Sequence, residues 1–362
     1  DAHMGNRPGT WDEFASVDVK GGVVRSTLNM LVSQRNIHNE TGYRVGVDAT
    51  LTDSVVKARF FPKNPIIGYR KWSVNDSNYV SLNYKRREML ADLQLQTDSS
   101  RVSLMSNSLD HTGKSDILLK IDNLKIEEWF KFFPFAPEVS GSLSANMGVA
   151  YDGKNIWGDG TASLKNFVYE RQRVGDIDLS ANLSVDPSTS STNLKADVDL
   201  DGSKVAFAYG SLNDSTKKNP FDVSLKLDRF PLSKATPFIP GNLVWLRGYL
   251  NGDLTVTGSM SKPIYNGYVV PDSANIYVPR YGSQLRLTET KIPVDSGVVK
   301  FKDFGIVGIN NRQVTVNGSV DISDMNNMTI KLGMAGSNVQ FIGSTQKRYS
   351  DLFGKGFADV NC

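Results

Sequence analysis

The chain is poor in the groups from which most active sites are built: one cysteine, three histidines and no long apolar run in 362 residues. Cys362, the last residue, is the single thiol, which excludes an intrachain disulfide and a thiolate metal cluster. His38 and His111 are the histidines beyond residue 3, and neither stands at metal-ligand spacing from a second His or Cys. No stretch approaches the ~18 apolar residues that a membrane-crossing helix needs. Charge of one sign is also missing, because 41 Lys and Arg face 38 Asp and Glu for a net +3. That balance argues against nucleic acid as a partner and against a polybasic membrane anchor. Asp1-Ala2-His3-Met4 reads as the remnant of a cloning site, so residues 1–10 are expected to stand outside the fold. The whole is expected to be a piece of a longer parent.

Thirty-one glycines and repeated period-2 alternation are what the chain does contain, and they predict an all-β protein. In Ile177-Asp178-Leu179-Ser180-Ala181-Asn182-Leu183-Ser184-Val185 the odd positions are apolar and the even ones polar, which dries one sheet face and wets the other. The same rule selects Leu143, Met147 and Val149, then Leu194 and Val198, Val205 and Phe207, Leu225, Leu254 and Val256, Leu285 and Leu287, and Val314 and Val316. With Ile177, Leu179, Leu183 and Val185, these are the predicted lining of one continuous apolar surface. Turn chemistry such as Tyr151-Asp152-Gly153 and Asp201-Gly202 separates the strands.

A longer period overlies the short one. Ile117-Leu118-Leu119-Lys120-Ile121-Asp122, Val223-Ser224-Leu225-Lys226-Leu227-Asp228 and Met328-Thr329-Ile330-Lys331-Leu332-Gly333 recur about 105 residues apart. A segment rich in Phe and Pro follows the first two, Trp129–Pro134 and Pro237–Pro240, and suits either short helices or lids over the open side or ordinary strand connections. The period predicts units at 11–120, 121–227 and 228–331, with 332–362 opening another, stacked edge to edge in an elongated sheet. In a closed sandwich the dry faces would cover each other, whereas in an open, curled sheet they would line a trough.

Catalytic and metal motifs do not survive inspection. Asp197-Val198-Asp199-Leu200-Asp201-Gly202 imitates a calcium loop, but its twelfth position is Ala208 where a bidentate Glu is required. Ser54-Val55-Val56-Lys57 and Ser344-Thr345-Gln346-Lys347 lack the companion motifs of Ser-Lys enzymes. Gly158-Asp159-Gly160 lacks a third glycine and a following helix. Lys85-Arg86-Arg87 suits a solvated strand end better than a headgroup site. The expectation is a protein without enzymatic activity, metal or cofactor.

The run Leu246-Arg247-Gly248-Tyr249-Leu250-Asn251-Gly252-Asp253-Leu254-Thr255-Val256-Thr257-Gly258, with Pro263, Ala274, Val278-Pro279, Gly297-Val298-Val299-Lys300-Phe301 and Phe304, resembles the C-terminal region of the TamB family, in its Bacteroidetes-type form. Trp72–Tyr79, Leu93-Gln94-Leu95 and Val102-Ser103-Leu104 are similar to it as well. The resemblance implies an AsmA-like β-taco: a curled, mostly antiparallel half-pipe with an apolar interior in the periplasm. It also implies a parent anchored in the inner membrane and an Omp85-class (TamA- or BamA-like) outer-membrane barrel as partner. Two functions follow from it, movement of phospholipid acyl chains along the trough for outer-membrane biogenesis, or assistance to outer-membrane protein or autotransporter assembly and secretion. A carbohydrate-binding sandwich array, with Trp72, Trp157 and Trp245 as sugar platforms, is a third expectation, independent of the resemblance.

Overall fold

The computed structural model describes residues 16–86, 88–106, 115–131, 136–151, 156–186, 191–212, 221–239, 243–259, 262–324, 327–344 and 354–362. It is an all-β fold, antiparallel at every strand pair described, with a few short helical turns. Contacts divide the chain after Val185 into two units, whereas the boundaries expected from the repeat cut through the interior of strands.

The first unit holds β1 (Ser16–Val24), β2 (Thr27–Arg35), β3 (Thr41–Leu51), β4 (Val55–Ile67), β5 (Arg70–Lys71), β6 (Ser73–Val74), β7 (Tyr79–Asn83), β8 (Glu88–Gln96), β9 (Arg101–Ser106) and β10 (Ser115–Lys125). Helix α1 (Ile126–Phe130), β11 (Val139–Tyr151), β12 (Ile156–Tyr169) and β13 (Gln172–Val185) complete it. Sequential neighbours pair from β1 to β4 and from β7 to β13, and β4 pairs with β7 around the short β5 and β6. The second unit holds β14 (Thr192–Leu200), β15 (Ser203–Leu212), β16 (Phe221–Pro231), β17 (Trp245–Ser259), β18 (Lys262–Val278) and β19 (Ser283–Leu287). β20 (Ile292–Asp295), β21 (Val298–Val307), β22 (Gln313–Asp321), β23 (Thr329–Ser344) and β24 (Gly354–Asn361) follow.

Local chemistry accounts for the turns. Asp201 and Gly202, at φ 48° and 78°, form the two-residue link between Leu200 and its partner Ser203, the primed turn that Asp-Gly favours because its twist matches that of the strands. Asn36 shapes the β2–β3 turn by accepting from the backbone N–H groups of His38 and Glu40.

The first unit has a buried cluster of Tyr43, Ile67, Trp72, Val74, Leu93, Leu95 and Leu124, with Trp129 of α1 packed against it. Trp129 meets Trp72 edge to face at 5.7 Å, an arrangement that aromatic quadrupoles favour. Tyr43 Oη donates to Glu128 O at 2.5 Å and Arg70 Nη1 to Glu128 Oε1 at 2.8 Å, so α1 is tied to β3 and β5. Gly68, at φ 62°, is required beneath it, because an added Cβ would lie 2.6 Å from Glu128 Cβ. The equivalent stretch of the second unit forms two 3-10 turns, Leu232–Lys234 and Thr236–Phe238. The Phe/Pro segments thus do begin as short helices, although Phe132–Pro134 and Pro240 lie outside the described residues. The second unit has its own buried cluster, Ile292, Phe304 and Val316.

Candidate functional site

Strand pairing puts the apolar side chains of each unit in unbroken cross-strand rows. In the first unit Leu95, Val102, Ile121, Ala145, Ala162 and Leu179 face one another across β8 to β13, beside a parallel row of Leu93, Leu104, Leu119, Met147, Gly160 and Ala181. The next row outward joins Ile117, Val149, Gly158 and Leu183, and on the other side Leu143, Leu164 and Ile177 align. In the second unit one row crosses nine strands: Ala196, Ala208, Leu225, Leu254, Gly267, Val294, Val299, Val320 and Ile330. Leu194 and Val256 belong to the row on one side of it, Val198 and Ile292 to the row on the other. Leu285, Leu287, Val314 and Val316 continue the same face through Ile276 and Ile306. None of these rows contains a charged side chain. The reverse face does: Gln94, Ser103, Lys120, Asn146, Thr161 and Ser180 form the matching row behind the first unit.

One predicted lining residue does not lie on this face. Phe207 pairs with Asp197 on one side and Lys226 on the other, lies 5.7 Å from the Lys226 ammonium and stacks on Tyr209, all on the polar face. The cause is a bulge in β15. Val198 pairs with Ala206 but Asp199 with Lys204, which leaves Val205 as the extra, buried residue and passes the apolar face to Ala206, Ala208 and Gly210. Alternation counted through a bulge inverts everything beyond it.

Coverage of the apolar face is partial. Of the predicted lining, Val149 is 44% and Leu179 38% exposed, while Val205, Val314 and Val316 are buried and the remaining thirteen lie between. In a sheet covered by a second layer most of these would be fully buried.

No family model, curated protein or solved structure matches the chain.

The other motifs find structural uses. Trp72 is 1% exposed and cannot be a sugar platform. Asp197 is engaged by Lys204 Nζ at 2.8 Å. His38 lies in the β2–β3 turn, and His111, Asp152, Gly153, Arg87 and Thr345–Lys347 lie outside the described residues. No group of three His, Cys, Asp or Glu suited to a metal ion occurs among the described residues. No helix there is long and apolar enough to cross a membrane.

Sequence reasoning overlooked one recurrent feature. Asn123, Asn166, Arg229, Ser273, Asp303 and Asn338 all have φ between 48° and 52°, and each lies at a β-bulge of β10, β12, β16, β18, β21 or β23. A signal was present, since Asp122-Asn123-Leu124, Lys165-Asn166-Phe167, Asp228-Arg229-Phe230, Lys302-Asp303-Phe304 and Ser337-Asn338-Val339 each insert one polar residue into the alternation.

Proposed function

We propose that the uncharged apolar face is a trough for hydrocarbon and that the chain carries phospholipid acyl chains along it, as the periplasmic segment of a TamB-like bridge serving outer-membrane biogenesis. One observation carries this reading: cross-strand rows of apolar side chains, without a charge, run through each unit and are only half covered. A soluble monomer rarely leaves a contiguous apolar patch above a few hundred Å². An acyl chain of about fifteen methylenes would lose on the order of 12 kcal/mol by passing through water, at ~0.8 kcal/mol for each. A continuous apolar floor removes that barrier without fixing the lipid at one point. The absence of convergent polar groups on the face fits transit better than tight capture, because fixed hydrogen-bond partners are what orient a bound ligand.

The test places a photo-crosslinking residue at Leu179 or Leu225, on the apolar face, and at Asp178 or Phe207 on the reverse, in cells of the native host. Phospholipid adducts from the first pair and none from the second are expected. Protein adducts at all four, without lipid, would overturn the reading.

A second reading, an assembly scaffold that holds a client strand or an outer-membrane barrel by edge pairing, draws on β1. Every residue of this strand is exposed, Val17, Val19, Val23 and Val24 by 52 to 72%, and among the described residues β2 alone pairs with it. An open edge strand is a template for β-augmentation. Under this reading proline at Val19 abolishes function while Leu179→Ser is tolerated; under lipid transit the order is reversed.

A further inference from the structure

The bulges described above share a second feature. At each, a side-chain oxygen accepts from the backbone N–H of the left-handed residue: Ser144 Oγ for Asn123 (3.1 Å), Asp176 Oδ1 for Asn166 (2.8 Å) and Asn251 Oδ1 for Arg229 (2.8 Å). Glu289 Oε1 does so for Ser273 (3.2 Å), Asn317 Oδ1 for Asp303 (2.8 Å) and Asp359 Oδ1 for Asn338 (2.7 Å). In five of the six the clasping residue is the single one that stands opposite the two residues of the bulge. The exception, Glu289, sits between β19 and β20.

The bulges are also in line. Along β11 the point facing a bulge moves from Ser144, opposite that of β10, to Gly141, opposite that of β12; along β17 it moves from Asn251 to Gly248 in the same way. In the second unit the line then passes through the gap between β19 and β20, both of which pair with β18 and with β21, and on to the bulge at Asp303. Beyond Asn338, β23 leaves β22 and turns over the β21–β22 hairpin, where Ile309 N donates to Gln340 O at 3.0 Å and Asn310 Nδ2 to Asn338 O at 2.7 Å.

A bulge bends its strand and increases local twist, and one left unclasped would expose a backbone donor with no ladder partner. We infer that the clasped bulges form an oblique crease in each unit that bends the sheet in the absence of any cargo, so that the apolar face is a preformed trough and not a flat sheet folded around its ligand. Asn251 and Asn317 act as positioning residues in this device. The inference concerns shape and does not depend on what the trough carries.

The experiment uses the full chain freed of lipid, with Cys362→Ser and spin labels on Asp222→Cys of β16 and Lys331→Cys of β23. One narrow distance is expected, unchanged when a lysophospholipid is added, with slow hydrogen exchange at the Arg229 and Asp303 amides. Asn251→Ala with Asn317→Ala should broaden the distance and speed exchange at those two amides about tenfold. Asn251→Asp with Asn317→Asp keeps the acceptors and should restore both, which separates loss of the clasp from general unfolding. A broad distance that narrows only with lipid, or an alanine variant as narrow as the parent, would overturn the inference. Failure of the crosslinking test would leave it standing.

Discussion

A left-handed backbone costs an ordinary L-residue roughly 1–2 kcal/mol, and Asn and Asp bear it best because their short side chains bond locally. Four of the six bulge residues are Asn or Asp; Arg229 and Ser273 are not. Arg229 has compensation, an ion pair with Asp272 at 2.9 Å and a position 3.9 Å from the Tyr249 ring. Ser273 is exposed at φ 51°, so Ser273→Asn is expected to raise stability by up to about 1 kcal/mol in urea unfolding. Charge has its own signature at Asp178. The Ser163 hydroxyl at 2.6 Å and then the Lys165 ammonium at 2.9 Å hold its carboxyl below the ordinary range. A carboxyl lowered by folding adds stability that is complete above its unfolded pKa of about 4 and is lost as the pH falls through the lower folded value. The urea midpoint of the parent should therefore drop more steeply than that of Asp178→Asn between about pH 5 and pH 2. Equal slopes would remove Asp178 from the acid response.

Strands were legible wherever alternation ran undisturbed. Ile177 to Val185 lies on β13 with the predicted apolar face, because a half-wet sheet enforces period 2. The Val205–Phe207 segment was not legible, since Lys204-Val205-Ala206-Phe207 offers two alternations and only pairing to β14 and β16 chooses between them. The choice is testable. Leu225→Ala, on the half-buried apolar face, should cost about 2 kcal/mol, near the low end for such truncations. Phe207→Ala removes the cation–π contact with Lys226 and the stack on Tyr209, each worth roughly 0.5–1 kcal/mol, and should leave lipid adducts at Leu225 unchanged. The α1 seat behaves differently. Trp72→Ala should cost about 3–5 kcal/mol, and Trp72→Phe much less, because the buried Trp72 Nε1 has no hydrogen-bond partner to lose.

Each unit has a buried cluster of its own, around Trp72 in the first and around Phe304 in the second. A unit with a core of its own can open without the other. Calorimetry is accordingly expected to show two transitions, one lowered by Trp72→Ala and the other by Phe304→Ala; a single transition lowered by both would mean one cooperative block. By itself the sequence determined the β class, the turn at Asp201-Gly202, the existence of a dry face and the scarcity of thiols and imidazoles. These depend on side-chain type and on a period of two, both local properties. Tertiary structure alone decided which alternation β15 obeys, the burial of Trp72 against α1, the partial cover of the apolar face and the alignment of the bulges. The burial and the cover are set by packing between side chains far apart in the sequence, and the alternation and the alignment by hydrogen bonding between strands, where a shift of one residue exchanges the dry face for the wet one.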